Sequence, residues 1–363
     1  MEGERIEGLS IFFTAGAALS ACLHGVSPSA SAADSFAGAV LASAAFFIMY
    51  IRHRNGIAAI FTLWFMAGYC CYAMAFIGEA WKTEEIGRAV AAARTAAAKV
   101  KASIYEIPFS DGDTAGLVSA LITGDRSGIG RETQEIFRKS GASHILALSG
   151  LHLGVIYTIL QKAASMVGNS PAAAKARSIA IIFFSGFYSI ATGASPSIIR
   201  AFLFISLSET ARMLNRRRNA STVLFSALFI QLALNPPVIK SAGFQLSYLA
   251  MCGITCIYPK MEAWYPCGDG GRTDVVRKMW NAAALGISCQ AFTAPAVWFY
   301  FKSFPPFFLM TNLLAMPVTT LLIFLSAASS ALACFGIYPS PLVHANEKTA
   351  GILMEILTVI SGM

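Results

Sequence analysis

Two histidines and two serines lie close together in an apolar stretch, GASHILALSGLHLG at residues 141–154. If this stretch is one continuous helix, His144 and His152 project within about 80° of each other, and Ser149 lies about 60° from His152. One face would then carry groups that donate and accept hydrogen bonds. In the alternative interpretation, His144 lies in water at the helix end and His152 bonds to a neighbouring backbone.

Hydrolysis is the first chemistry that a serine and a histidine suggest. A nucleophile needs a base within hydrogen-bond reach and usually a third, orienting group. Ser149 and His152 are neighbours on one predicted helix, and no Gly-x-Ser-x-Gly elbow surrounds the serine. A rhomboid-type Gly-x-Ser-Gly motif is also incomplete, because Ala147 replaces its first glycine. We therefore predict that the chain is not an enzyme, and keep intramembrane serine proteolysis as a minor alternative.

The same stretch contains Gly150 and Gly154, a small-xxx-small pair that predicts the close approach of a second helix. Other polar groups occur where apolar segments are interrupted. In TGASPSIIRA (192–201), Gly193 and Pro196 end one span, and Arg200 lies one turn into the next helix. Arg200 either lines a polar path or extends its charge to the membrane surface.

Two further interruptions follow along the chain. The segment LNPPVIKSAGFQLSYLA (234–250) places Asn235 before two prolines, and Gly243 and Gln245 after them; NLLAMP (312–317) places an amide and a proline inside one apolar segment. Broken helices with interior amides are typical of membrane proteins that line a polar path. The predicted path residues are His144, Ser149, His152, Arg200, Asn235, Gln245 and Asn312, and the predicted packing or break positions are Gly150, Gly154, Gly193, Pro196, Gly243 and Pro317.

The amino-acid composition indicates that membrane-spanning helices must position these polar side chains. Hydrophobic residues make up 56% of the 363 residues and charged residues 13%, far from the usage of soluble domains. A membrane-spanning helix needs about 20 mostly apolar residues, so we predict an all-α polytopic membrane protein of about ten spans. The predicted spans are 9–27, 36–51, 57–80, 143–161, 177–193, 197–211, 219–235, 242–258, 281–300 and 307–335, with a shorter apolar segment at 350–361.

Basic residues in the short loops predict the orientation. If the N-terminus lies in the cytoplasm, basic loops such as those at Lys175 and Arg216 all fall inside, whereas the opposite short loops carry only Lys240 and Lys302. We predict a multi-pass protein of the bacterial inner membrane with the 81–140 connection outside. Within that connection, the Ala-rich residues should form a helix. The eight cysteines are scattered, and their spacing predicts neither a metal site nor a cofactor.

Taken together, these motifs resemble the competence domain of ComEC-type DNA-uptake proteins. The resemblance rests on ALITGDRSGIGRETQEIFRKSGASHILALSGLHLGVI (120–156), followed in order by TGASPSIIRA, NPPVIKSAGFQLSYLAMCGI and NLLAMP. It implies an inner-membrane channel that passes single-stranded DNA into the cytoplasm during natural transformation. The alternative is a secondary transporter of a small solute, which broken helices would also suit.

The resemblance also implies what to expect of the chain's organisation and partners. We predict N-terminal transmembrane helices at 1–80, an extracytoplasmic connection at 81–110, the channel domain at 111–340 and a C-terminal apolar segment at 341–363. Members of this family usually carry an OB-fold domain and a metallo-β-lactamase-like domain. Neither strand alternation nor an H-x-H-x-D-H run occurs here. Besides the strand and the lipid bilayer, the expected partners are therefore a separate DNA receptor, a nuclease and a cytoplasmic motor.

Overall fold

The computed structural model describes residues 2–26, 64–72, 84–165, 170–216, 219–264, 275–302 and 307–362, and all regular structure within these ranges is helical. The all-α prediction is confirmed. The α-helices are α1 (Glu2–Val26), α2 (64–72), α3 (Glu84–Tyr105), α4 (Gly112–Thr123), α5 (Arg131–Lys139), α6 (Ser143–Leu146), α7 (Gly150–Ser165), α8 (Pro171–Ala191), α9 (Pro196–Met213), α10 (Ala220–Leu234), α11 (Ala242–Cys256), α12 (Tyr258–Glu262), α13 (Val275–Phe301), α14 (Phe308–Ala333) and α15 (Ser340–Ser361).

Within the described residues, two helices are long and apolar enough to cross a membrane, Val276–Phe301 and Phe308–Ala333. Shorter apolar helices occupy Gly8–Ala21, Ala220–Leu234 and Ala242–Cys256. The predicted span 36–51 lies outside the described residues. Helices are therefore present at most of the predicted spans, but the count of ten spans is not established.

The breaks between helices agree with the sequence in part. Helix α8 ends at Ala191 and α9 begins at Pro196, and Gly193 between them has a φ of 91°, which favours glycine. The next break is a 3-10 turn at Pro236–Lys240, where two prolines predicted it, and Gly243 lies in the first turn of α11 that follows. Pro317 lies inside α14, as predicted, and the helix continues through it.

The chain divides into two compact units, each built from two stretches that are separated in sequence. The first unit contains residues 1–87 and 206–248, so that helices distant in sequence pack together. Its helix α1 crosses the 64–72 helix closely: a Cβ on Gly16 would lie 1.9 Å from the carbonyl oxygen of Phe65. Glycine is therefore required at this crossing, since any side chain would force the two backbones apart.

The second unit contains residues 88–205 and 249–363, and its centre is the packed pair α14 and α15. The buried amide of Asn346 joins the pair, donating to Ser329 Oγ over 2.7 Å and accepting from Ser326 Oγ over 3.2 Å. Leu322 and Leu353 lie in the apolar core beside this network and are fully buried. The C-terminal apolar segment 341–363 thus shares its core with α14.

Candidate functional site

The stretch 141–154 is a broken helix rather than the continuous one predicted. Helix α6 ends at Leu146, Ala147 has extended backbone angles (φ −79°, ψ 126°), and α7 begins at Gly150. The angular relation predicted for His144 and His152 therefore does not hold. The break exposes backbone groups of two helix ends to their surroundings, and each end needs hydrogen-bond partners.

Ser149 and His152 cap the N-terminus of α7. The Oγ of Ser149 accepts a hydrogen bond from the backbone N–H of Leu151 over 3.3 Å. In return, Nδ1 of His152 accepts the backbone N–H of Ser149 over 3.2 Å. This is the reciprocal pattern of a capping box, with histidine in the place that Glu or Gln usually takes. The order S-G-L-H was therefore a signal for a helix start, which the prediction of a continuous helix missed.

The cap fixes the chemistry of the His152 ring. Because Nδ1 accepts a backbone N–H, it carries no proton, and the proton of the neutral imidazole lies on Nε2. The side chain is 1% exposed, and Nε2 has no hydrogen-bond partner among the described residues. The Oγ of Ser149 lies 3.1 Å from the same Nδ1, so the serine and the imidazole are in hydrogen-bond contact.

Arg200 lies against the first residue of α7. A Cβ built on Gly150 would lie 3.2 Å from Nη2 of Arg200 and 3.6 Å from Cβ of Ala201. Glycine at 150 therefore allows the guanidinium to reach the helix N-terminus. Gly154 differs from the prediction of a small-residue pair, because a Cβ there would meet nothing within 4 Å. Within the pair, only Gly150 provides a close approach.

The local sequence explains how Arg200 is presented. Ser195 Oγ accepts the backbone N–H of Ile198 over 3.4 Å, which caps the helix that carries the arginine. The neighbouring Ile198 and Ala201 are buried against Leu153 of α7. Helix α9 is thus fixed by its cap and its apolar contacts, and Nη2 of Arg200 lies beside Gly150, the first residue after the break at 147–149.

His144 lies at the other side of the break, in an exposed position. Its Nδ1 is 3.1 Å from the carbonyl oxygen of Gly141, and its ring centroid is 5.8 Å from that of Phe308. The side-chain amide of Asn312 lies near the same imidazole without a hydrogen bond to it, and its Oδ1 is buried without a partner among the described residues. Thus the structure brings together two predicted path residues that are far apart in sequence, His144 and Asn312.

Arg126 also lies next to the break, although it was not among the residues predicted from the sequence. Its Nε donates to the carbonyl oxygen of Leu146 over 3.0 Å, satisfying the last residue of α6. A cation at a helix C-terminus is also electrostatically favourable. Gly124 in the same loop has a φ of 81°, and a Cβ there would lie 2.2 Å from Cδ1 of Leu148. The only sequence signal was the position of GDRSG within the quoted motif.

The remaining two path candidates belong to the first compact unit. Gln245 donates its Nε2 to the carbonyl oxygen of Ile239 over 2.8 Å, so its amide supports the 3-10 turn. Asn235 is exposed at the C-terminus of α10. In the same unit, Tyr248 donates to Gln231 Oε1 over 2.9 Å in a buried contact. Within the described ranges, no group of three metal-ligating side chains comes together.

Comparison with known proteins gives consistent matches. A family model described as Competence protein matches residues 121–363, about two thirds of the chain. ComE operon protein 3 of Bacillus subtilis (strain 168) is 33% identical over 136 residues, which cover 38% of this chain and 17% of that protein. The uncharacterized protein YcaI of Escherichia coli (strain K12) is 25% identical over 56% of this chain and 27% of its own length.

An uncharacterized protein of Aquifex aeolicus (strain VF5) is 27% identical over 58% of this chain and 45% of its own length. The aligned region therefore spans less than half of each of these relatives. No solved structure matches the chain. The match to the family model includes the break at 147–149 and the arginine beside it, whereas α1 to α3 precede it.

Proposed function

This chain belongs to the competence protein family, and on that premise we propose that it passes single-stranded DNA through the bacterial inner membrane. Membership supports a role in DNA uptake for competence in a membrane-associated protein. The finer statements are part of the proposal: several membrane crossings, a cytoplasmic N-terminus and a conduit for one strand. The proposed partners are the strand, the bilayer, and separate receptor, nuclease and motor proteins.

The observation that carries the proposal is the guanidinium of Arg200 at the N-terminus of α7. A DNA strand carries one negative charge per phosphate, so a path through a membrane must offer cations or hydrogen-bond donors to it. The N-terminus of a helix carries a partial positive charge, and an arginine beside it adds a planar donor fork. The guanidinium of Arg200 beside Gly150 therefore gives a positively charged site next to the non-helical residues 147–149.

The surroundings of the break suit a conduit rather than a reaction centre. The Oγ of Ser149 and Nδ1 of His152 are both engaged in capping α7. A catalytic histidine is oriented through its second ring nitrogen, and Nε2 of His152 has no such partner among the described residues. We therefore propose that the pair holds the break in shape and that the chain itself catalyses no reaction.

The proposal is tested by replacing Arg200 with Ala and with Lys in the host bacterium, with the native copy deleted. A charge-assisted hydrogen bond contributes about 1.5–3 kcal/mol, so we expect Arg200→Ala to lower the uptake of labelled DNA into the cytoplasm 10- to 100-fold. DNA bound at the cell surface should not change. Arg200→Lys should lie between the two, since it keeps the charge without the fork.

Arg216→Ala is the matched control, because Arg216 is an exposed arginine in the loop that follows α9. It should transform at the wild-type frequency, and immunoblots should show equal amounts of all three variants in the membrane. Normal transformation by Arg200→Ala at normal abundance would refute the phosphate contact. Normal transformation by a strain that lacks the gene, together with loss of uptake of a small solute, would favour the transporter instead.

His152→Ala gives a second test of the same site. It removes the acceptor for the N–H of Ser149, so we expect internalised DNA to fall while the protein still inserts and accumulates. His152→Gln restores an acceptor of the kind used in capping boxes and should retain most of the uptake. If Gln is as defective as Ala, the role of His152 is not the cap, and its Nε2–H becomes the group to examine.

A further inference from the structure

One segment of the second unit, residues 107–140, contacts both ends of the α14 and α15 pair. At one end, Ile107 is buried against Ala333 and Val343, and the backbone N–H of Ser110 donates to Glu347 Oε1 over 2.5 Å. Close by, Tyr338 donates to Glu106 over 3.2 Å. The contacts at this end therefore include an apolar cluster and two polar contacts.

At the other end, the chain contacts the beginning of α14. Thr311 Oγ1 donates to the carbonyl oxygen of Ser140 over 2.6 Å, and both residues are fully buried. Phe137 of α5 is packed in the same core as Leu353 and Leu357, which lie in the C-terminal half of α15. Residues 137–140 are thus fixed at the end opposite to Ile107.

These two ends are separated by the thickness of a membrane. Thr311 and Ala333 are 22 residues apart on one helix, which corresponds to about 33 Å. The hydrocarbon core of a bilayer is about 30 Å thick. If α14 spans the membrane, the chain must pass from one side to the other between Ile107 and Ser140. The topology predicted from the loops, in which all of 81–140 lies outside, does not allow this.

We infer that residues 107–140 cross the membrane as a broken segment, and that its loop 124–130 lines the path of the DNA strand. Helix α4 forms the first part of the crossing, and its residues 114–122 are all buried. It has 12 residues and is about 18 Å long, roughly half of the required distance. The left-handed Gly124 ends it, and the loop then folds back so that Gly128 lies against Gly116 of α4. Residues 131–140 complete the crossing.

Several polar groups of the loop are hydrogen-bonded to other protein groups, as is required of backbone inside a membrane. Asp125 pairs with Lys101 and accepts the backbone N–H of Ser127 over 2.9 Å. Thr123 Oγ1 accepts the backbone N–H of Asp125 over 3.3 Å, and the N–H of Ile129 donates to the carbonyl of Arg126 over 3.0 Å. The packing is close, since a Cβ on Gly116 would lie 2.2 Å from the carbonyl oxygen of Gly128.

Non-helical backbone at membrane depth is tolerated only where it is buried in protein or lines a water-filled cavity. Arg126 and Ser127 are exposed in a loop that lies between the two ends of the crossing. Their side of the loop must therefore face water rather than lipid. A water-filled face inside this unit, next to the break at 147–149, is where a hydrated strand would pass.

Arg126 then becomes a second cation beside the break. Its Nε is bonded to the carbonyl of Leu146, and its two Nη groups have no acceptor among the described residues. Arg200 lies beside Gly150 on the other side of the same break. Two guanidinium groups thus flank residues 147–149, and a polyanion that passes the break would meet both. Phosphate groups of the strand are the ligand that this chemistry fits.

Sidedness is the first test, and it requires no DNA. In a functional version whose eight native cysteines are replaced, Ser110→Cys and Ser143→Cys each place one exposed thiol at opposite ends of the crossing. A membrane-impermeant maleimide should label one variant in intact cells and the other only in inverted vesicles. Labelling of both from the same side would overturn the crossing. Asp113→Cys and Lys139→Cys are exposed substitutes if either variant fails to accumulate.

Charge at the loop is the second test, and it rests on the proposed function. Ser127→Cys is treated with two methanethiosulfonates of similar size, one adding a sulfonate and the other a trimethylammonium group. The sulfonate should lower internalised DNA at least tenfold, whereas the cation should leave it within twofold. Equal effects of both reagents would overturn the lining role, because a steric or structural defect does not depend on the sign of the charge.

The labelling test and the uptake test distinguish a failure of the membrane crossing from a failure of the proposed DNA transport. If the protein does not carry DNA at all, the deletion strain transforms normally while the thiols at Ser110 and Ser143 still report the crossing. Arg126→Gln should reproduce the loss of uptake, and Arg131→Gln, an exposed arginine of α5, should not. If Arg126→Gln internalises DNA as the wild type does, Arg126 is a structural partner of Leu146 and not a contact for the strand.

Discussion

Replacing Ser149 separates a helix cap from a nucleophile, because the two roles require different properties of the side chain. A cap needs an oxygen that accepts a backbone N–H, which Asn supplies as well as Ser. A nucleophile needs a hydroxyl that can be deprotonated and attack, which Asn lacks. Ser149→Ala and Ser149→Asn are therefore expected to differ if the residue is a cap, and to be equally inactive if it is a nucleophile.

The size of the effect follows from the contacts. Ser149→Ala removes the acceptor for the N–H of Leu151, and losing an N-cap costs about 1 kcal/mol, with a range of about 0.5–2. The Nδ1 of His152 is not left unpaired, since it keeps the backbone N–H of residue 149 over 3.2 Å. A loss of about 1 kcal/mol corresponds to a change of about fivefold in the equilibrium between the capped and the frayed break.

We therefore expect Ser149→Ala to lower transformation about fivefold at unchanged abundance, and Ser149→Asn to stay within about twofold of the wild type. Transformation frequency and immunoblots of membranes provide the two measurements. A fall of more than a thousandfold in both variants, with normal amounts of protein, is the result that would refute the cap, because no lost helix cap is that costly. Such a result would make hydrolysis by the pair Ser149 and His152 the hypothesis to pursue.

Two predictions concern packing in the second unit. Gly253→Ala should destabilise the protein by at least about 1–3 kcal/mol, because its Cβ would lie 2.1 Å from the carbonyl oxygen of Ser288, whereas Gly154→Ala meets nothing within 4 Å and should be neutral or stabilising. Thermal unfolding in detergent compares the two, and equal midpoints would contradict the close crossing. Asn346→Ala should cost about 1–2 kcal/mol in the same assay, since it leaves the hydroxyl of Ser329 without its partner; an unchanged midpoint would show that the network does not stabilise the helix pair.

The candidate site was predictable where residue type alone decides the outcome. Gly193 and Pro196 interrupt the helices as predicted, and Arg200, one turn into the next helix, lies beside the first residue of α7. The alternative interpretation of the histidines also proved close to the structure, with His144 exposed and His152 bonded to a backbone N–H. These outcomes depend on the free-energy cost of burying a charge and on backbone hydrogen bonds between residues that are close in sequence. Both can therefore be predicted from a short stretch of sequence.

Other parts of the site depend on contacts between distant residues. Arg126 is 20 residues away from the carbonyl that it binds, and Asn312 lies far from His144 in sequence. Periodicity could not distinguish a continuous helix over 141–154 from two helices with a cap between them. The cap of Ser149 and His152 is local, but the end of α6 is also held by Arg126 from the loop 124–130, which a local pattern does not include.

By itself, the sequence determined that the protein is helical and built for an apolar environment, because more than half of its residues avoid water and few are charged. The order of its motifs was also enough to indicate the family of the chain. Only the tertiary structure decided which ends of the helices meet. Ile107 and Ser140 contact opposite ends of α14 because their side chains and backbone fit into a core that several helices share. The apolar face of one helix could pack against many partners, and only the close packing of the whole unit selects one of them.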